Sequence, residues 1–227
     1  GEAAACARSR AHSVAELFQE TEQILRAYFE DAHADRVAGL CVRALLYEVA
    51  VTPKPGLVDR RNSGAHKDMH FFTFLDSASA LFPYFRACVQ TGLRAKRPGE
   101  AFDALRYPGM LAEDEMLRAT GGVNAHKGAI FSLGILAGAL GLRWAQGLPF
   151  DAEAVCALGA EMTRKALAGE IAAKAGPGGA RAEAASGFPS ALRVGLPALN
   201  RALAEGLSLD EAGAYALCAL MGAVEDA

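Results

Sequence analysis

G-A-I-F-S-L-G-I-L-A-G-A-L-G-L, Gly128–Leu142, is the longest apolar run in the chain, 15 residues bounded by Lys127 and Arg143. It falls short of the ~20 residues needed to cross a bilayer, so it predicts a buried helix and no membrane span. Carried on to Trp144, the helix places Gly134, Gly138 and Gly141 on one stripe, at i, i+4 and i+7. Such a stripe lets a second backbone come close, so Ala129–Trp144 is expected at the centre of the fold.

The sequence on either side repeats apolar residues at three and four positions, the period of a helix. Val14, Leu17, Phe18, Ile24, Leu25, Tyr28 and Phe29 predict an amphipathic helix over Val14–Glu30. Val37, Leu40, Cys41, Ala44, Leu45 and Leu46 predict a second over Ala34–Val51, ending at Thr52-Pro53. A third is expected over Asp68–Val89, with Asp68 at its N-cap or in its first turn. Residues 92–108 read as a connection with a short helix, followed by a helix over Leu111–Ala119. Asp151 should cap a helix running to about Ala168, and Gly179 and Gly187 bracket a charged segment. Pro189–Glu205 and Leu209–Val224 close the chain as two helices, the second capped by Ser208. No stretch of useful length alternates as a strand would. The expected fold class is all-α, a single compact bundle of about eight helices with long functional loops. Residues 1–35 are expected as an N-terminal helical segment, and 36–227 as one continuous globular domain.

Composition narrows the function classes. Hydrophobic residues are 52% of the chain and charged residues 22%, which fits a globular protein with a core and argues against disorder. A net charge of −3 offers no general field for DNA or RNA, so anion binding must be local. The five cysteines (Cys6, Cys41, Cys88, Cys156, Cys218) are dispersed and lack a C-x-x-C pair. They read as reduced thiols and not as a disulfide framework or a zinc site. The N-terminal residues lack the basic, apolar and cleavage-site succession of a secretory signal. The expectation is a cytoplasmic protein with no membrane and no nucleic-acid partner.

Thr52–Asp76 holds the densest chemistry: T-P-K-P-G-L-V-D-R-R-N-S-G-A-H-K-D-M-H-F-F-T-F-L-D. Pro53 and Pro55 stiffen it and Gly56 and Gly64 give it joints. Lys54, Arg60, Arg61 and Lys67 stand against the single acid Asp59, a composition suited to a polyphosphate. Glu48 lies in the last turn of the preceding helix, where the dipole disfavours an acid and a nearby cation or proton would compensate. Asp68 and Asp76, eight residues apart, would lie ~12 Å apart along one helix and could not share a magnesium ion. His66 and His70 have the spacing of a zinc pair, but the residues between them do not match H-E-x-x-H. Asn124-Ala-His-Lys-Gly128 opens the central helix, where free amides, the helix dipole and Lys127 favour phosphate. The spacing there is not that of a Walker A loop. Arg181 and Glu183, set among glycines, are expected to meet a ligand.

Taken in order, these segments resemble the triphosphoribosyl-dephospho-coenzyme A synthase family. The resemblance rests on E-V-A-V-T-P-K-P-G-L-V-D-R-R-N-S-G-A-H-K-D-M (Glu48–Met69) and F-L-D-S-A-S-A-L (Phe74–Leu81). It continues through A-E-D-E-M-L-R-A-T-G-G-V-N-A-H-K-G-A-I-F (Ala112–Phe131) and G-A-R-A-E-A-A-S-G-F-P (Gly179–Pro189). Members usually carry Thr where Ala125 stands. They also continue past Glu225-Asp226 into a further segment with Asn and Arg, so part of the site is expected beyond Ala227. The resemblance implies a transferase that moves the 5-triphosphoribosyl group of ATP onto the 2′-hydroxyl of 3′-dephospho-CoA and releases adenine. The product would be the prosthetic-group precursor for the acyl carrier protein of citrate lyase or malonate decarboxylase. It implies Mg2+ with the ATP, held by Glu48 or Asp68, and a base among Asp68 and His66. Glu113 or Glu183 would meet adenine with a proton or a hydrogen bond. Lys54, Arg60, Asn62, Lys67, Asp76, Asn124, His126, Lys127 and Arg181 would contact the two substrates. A homodimer is expected as an alternative to a monomer. A metal-dependent nucleotide hydrolase, or a non-catalytic helical module that binds a nucleotide or carrier, is the competing expectation.

Overall fold

The computed structural model describes residues 13–173 and 179–223, without the side chains of residues 169–173. Cys6, the first 12 positions of the expected N-terminal segment and Glu225-Asp226 lie outside the described residues. Among those described, every regular element is a helix and there is no β-strand, as the period of the sequence requires. The elements are α1 (Val14–Ala50), α2 (Phe71–Ala80), α3 (Phe82–Arg94), α4 (Pro98–Ala119) and α5 (Lys127–Ala145). They continue as α6 (Ala152–Ala173), α7 (Ala180–Ser186), a π-helical turn over Ala191–Gly195, α8 (Leu196–Ala204) and α9 (Leu209–Ala223).

α5 is the central helix. By length and composition it could cross a membrane, but here it is packed among α3, α4, α6 and α1, most extensively on α3. The small residues explain the closeness. A Cβ on Gly141 would sit 2.1 Å from the Val89 carbonyl oxygen, and one on Gly92 of α3 would sit 2.0 Å from the Gly138 carbonyl oxygen. Each helix therefore opens a groove for the other's backbone. Gly134 makes room for Tyr84, whose hydroxyl donates to the Ile130 carbonyl at 3.0 Å. Phe85, Leu81, Met116, Ile130 and Leu142 fill the space around this crossing.

Several expected boundaries are corrected. The two N-terminal helices are one helix of 37 residues, opened by a capping box between Ser13 and Glu16. Asp31-Ala-His-Ala34 contains neither glycine nor proline, so nothing interrupts it. α1 runs unbroken across residue 35: Phe18, Ile24 and Tyr28 stay exposed, and His33 stacks on Trp144 at 4.1 Å where the helix joins the bundle. Asp68 does not start a helix. His70 is the N-cap of α2, sharing reciprocal hydrogen bonds with Thr73. The helix expected over Asp68–Val89 is also split after Leu81, because Pro83 has no amide to extend α2 and opens α3 instead. The connection expected over 92–108 is mostly α4, which starts at Pro98 and passes through Pro108. The glycine-bracketed segment forms α7, ending at Gly187 with φ 83. Asp151 and Ser208 cap α6 and α9 as expected. Cys41, Cys88, Cys156 and Cys218 are free thiols.

Candidate functional site

Asp59 organises the loop between α1 and α2. It is 1% exposed and accepts hydrogen bonds from Thr52 Oγ1 at 2.7 Å and the Lys54 amide at 3.1 Å. The amides of Arg61 and Asn62 donate to its other oxygen at 2.7 and 3.0 Å. Burial alone would raise its pKa, but the hydrogen bonds outweigh it and hold the carboxyl well below the usual range. The loop thus wraps a buried anion. Gly64 closes the far side: at φ 55 its missing Cβ would lie 2.4 Å from the Gly56 carbonyl oxygen. Asn62 Oδ1 accepts from the Gly64 amide at 2.8 Å, so Asn62 shapes the turn.

The folded loop directs Lys54 inward. Its side chain is 3% exposed, and Nζ meets Glu48 Oε1 at 2.6 Å, which supplies the cation expected beside Glu48 at the end of α1. The Lys54 charge also acts on His126, the N-cap of α5. His126 is 6% exposed, and burial first, then Lys54, lower its pKa to about 4. The ring is neutral near pH 7. Its Nδ1 lies 2.7 Å from Ser77 Oγ of α2, while Nε2 is buried with no partner.

On the other side of the α5 start, Lys127 Nζ lies 2.7 Å from Glu113 of α4, with Lys127 60% exposed. Asn124 Oδ1 accepts the Lys127 amide at 3.1 Å. Two Lys–Glu pairs and a neutral imidazole are thereby gathered around one helix N-terminus, where backbone amides already favour anions. Next to them a cavity of about 290 Å³ is lined by residues that include Tyr84, Phe102, Glu113, Phe131 and Arg181.

The remaining expected residues are arranged less tightly. Asp68 and His66 face each other at 3.7 Å on the exposed part of the loop, at 63% and 39% side-chain exposure. Lys67 and Asp76 are exposed, Asp76 on α2. Arg60 is paired with Asp210 of α9, which also accepts the Thr52 amide at 3.2 Å. Glu183 accepts from the Ser190 hydroxyl at 2.7 Å and the Ser190 amide at 3.2 Å, closing the turn after α7. Among the described residues no group of three or more His, Cys, Asp or Glu side chains could hold a metal ion. Magnesium commonly binds through one or two carboxylates plus substrate phosphates, and half-exposed Glu48 and exposed Asp68 fit that limited role.

The profile of the CitG family, described as ATP:dephospho-CoA triphosphoribosyl transferase, matches residues 34–227. The chain belongs to this family. A relative from Salmonella choleraesuis, named probable 2-(5''-triphosphoribosyl)-3'-dephosphocoenzyme-A synthase 1, is 40% identical over 201 residues. That alignment takes in 82% of this chain and 66% of the relative. A Streptococcus equi subsp. zooepidemicus relative with the same designation, without the final numeral, is 38% identical over 219 residues, 85% of this chain and 74% of its own. The chain thus spans a little under two thirds of the length of the Salmonella relative. No solved structure matches it.

In this member of the CitG family, three positions central to the site escaped the sequence reading. Asp59 carried a signal, being the one acid in a basic loop, but its burial was not legible. Ser77 and Asp210 carried none, since each becomes relevant only through a partner 49 or 158 residues away.

Proposed function

We propose that this chain transfers the 5-triphosphoribosyl group of ATP to the 2′-hydroxyl of 3′-dephospho-CoA. The new bond joins that oxygen to C1′ of the ATP ribose, and the C1′–N9 bond breaks. The hydroxyl proton passes to a base, and adenine leaves with the bonding pair and takes up a proton. Such a reaction passes through an oxocarbenium-like state, stabilised by positioned carboxylates and assisted by proton transfer at both ends. The observation that carries the reading is the gathering of Glu48–Lys54, Glu113–Lys127 and neutral His126 at the start of α5. The names of the relatives point the same way.

In this reading Lys127 and the first amides of α5 bind phosphate, and Lys54 keeps the floor of the site positive and His126 neutral. Asp68, with His66 beside it, is the candidate base, and Glu113 meets the departing adenine. Glu183 ties the end of α7, the helix that carries Arg181, to Ser190, while Arg60 and Asn62 hold the loop on which Asp68 and Lys67 stand. Glu48 or Asp68 would hold Mg2+ together with the phosphates, where it would supply neutralisation of phosphate charge. The product would serve an acyl carrier protein of citrate lyase or malonate decarboxylase. Cytoplasmic placement and assembly as a homodimer belong to the same proposal.

Adenine release followed by chromatography tests it. Release that requires both ATP and dephospho-CoA supports transfer. ATP turnover without the acceptor indicates a nucleotide hydrolase, and binding without any turnover indicates a non-catalytic module.

A further inference from the structure

The cavity between α3, α4, α5 and α7 has a composition that selects its occupant. Its walls are apolar and partly aromatic, with Phe102 from α4 and Phe131 from α5. Arg106 Cζ stands 4.9 Å from the Phe102 ring centroid, and Arg181 Cζ stands 5.9 Å from that of Phe131. Both arginines line the cavity, so it joins flat apolar faces to positive charge. Its other polar groups are acceptors. Tyr84 Oη has its proton committed to the Ile130 carbonyl at 3.0 Å and offers only lone pairs. Glu113, though paired with Lys127, keeps further lone pairs, because a carboxylate has about four acceptor sites. About 290 Å³ lies at the small end for ligand pockets, enough for a bicyclic ring but not for a nucleotide.

We propose that this cavity seats a 6-aminopurine ring, its amino group donating to Glu113 and Tyr84 Oη. The assignment deepens the transfer reading and rests on it for the supply of adenine, which both ATP and dephospho-CoA carry. A 6-oxopurine would set a carbonyl oxygen against two acceptors and should be refused.

Free adenine tests the cavity separately from catalysis. Its proton NMR line widths are followed on titration with the purified chain, alongside those of hypoxanthine. Adenine should bind at least about tenfold more tightly, the worth of one hydrogen bond to a charged group. Gly109→Phe fills the cavity from α4, where the nearest neighbour of a new Cβ is Tyr84 Oη at 3.7 Å, and should abolish binding. Gly109→Ala, which leaves the space open, should bind adenine as the natural chain does. Glu113→Gln should weaken adenine about tenfold and narrow its margin over hypoxanthine. Displacement by ATP assigns the ring to the departing base, and displacement by dephospho-CoA assigns it to the acceptor; either supports the cavity. Absent binding, equal binding of the two purines, displacement by neither substrate, or retained binding by a Gly109→Phe variant with a native circular dichroism spectrum overturns it. Adenine binding without transfer would instead fault the reaction and leave the cavity standing.

Discussion

Asp59→Asn replaces one oxygen of a buried carboxylate with an NH2 group in a pocket that offers only donors. The amide can keep one oxygen against the Arg61 and Asn62 amides, at 2.7 and 3.0 Å. The new NH2 then faces the Lys54 amide, formerly bonded at 3.1 Å, and Thr52 Oγ1, formerly at 2.7 Å. The threonine hydroxyl can turn and accept, but the Lys54 N–H cannot. One charge-assisted bond is lost, one buried donor is orphaned, and the bonds that remain lose their ionic partner. At about 1.5–3 kcal/mol for a bond to a charged group, the total is on the order of 2–4 kcal/mol. That is a large share of the ~5–15 kcal/mol typical of a domain. The pH dependence has a definite sign. The folded-state pKa lies below the unfolded value near 4, so the stabilisation is present above pH ~4 and fades as pH falls further. Urea denaturation followed by circular dichroism at pH 7 and at pH 3.5 reads both effects. A difference between natural chain and variant below about 1 kcal/mol at pH 7, or one that widens on acidification, would show that the buried Asp59 carboxylate does not hold the loop.

Further outcomes follow from the same geometry. Gly141→Ala sets a Cβ 2.1 Å from the Val89 carbonyl oxygen and should cost on the order of 3 kcal/mol or more, lowering Tm by about 6–12 °C in calorimetry. Lys54→Met removes the charge that helps hold His126 near pKa 4, so the imidazole should titrate closer to 6.5 by NMR, but not reach it, because burial is the larger cause. His126 itself makes stability fall between pH 6.5 and about 4, since the unfolded imidazole gains a proton that the folded one resists; His126→Asn should flatten that part of the profile. Lys127→Ala should weaken ATP binding by on the order of 1–3 kcal/mol in calorimetry.

The fold was legible where residues act on near neighbours. The glycine stripe of α5, the caps at Asp151 and Ser208, and the end of α1 before Pro53 are local rules met by the structure. Helix boundaries differ from expectation where the same residue type has opposite effects in different packing. Pro108 sits inside α4, whereas Pro83 divides α2 from α3. Glu48 in a last helical turn asked for a cation, and Lys54 provides it six residues on. The site's long-range partners were not legible. Nothing in Thr52–Asp76 announces that Asp210 will hold Arg60 and the Thr52 amide, or that Ser77 will meet His126. Those contacts arise from helix packing, which period and capping do not encode.

Transfer of a labelled sugar distinguishes triphosphoribosyl transfer from every hydrolytic alternative. ATP carrying carbon-13 at C1′ is incubated with dephospho-CoA, magnesium and the chain, and the label is followed by NMR and mass spectrometry. The label should appear in dephospho-CoA bearing a ribose with all three phosphates intact, one adenine being released for each. Label in free ribose triphosphate, ADP or AMP, with dephospho-CoA unmodified, would contradict it.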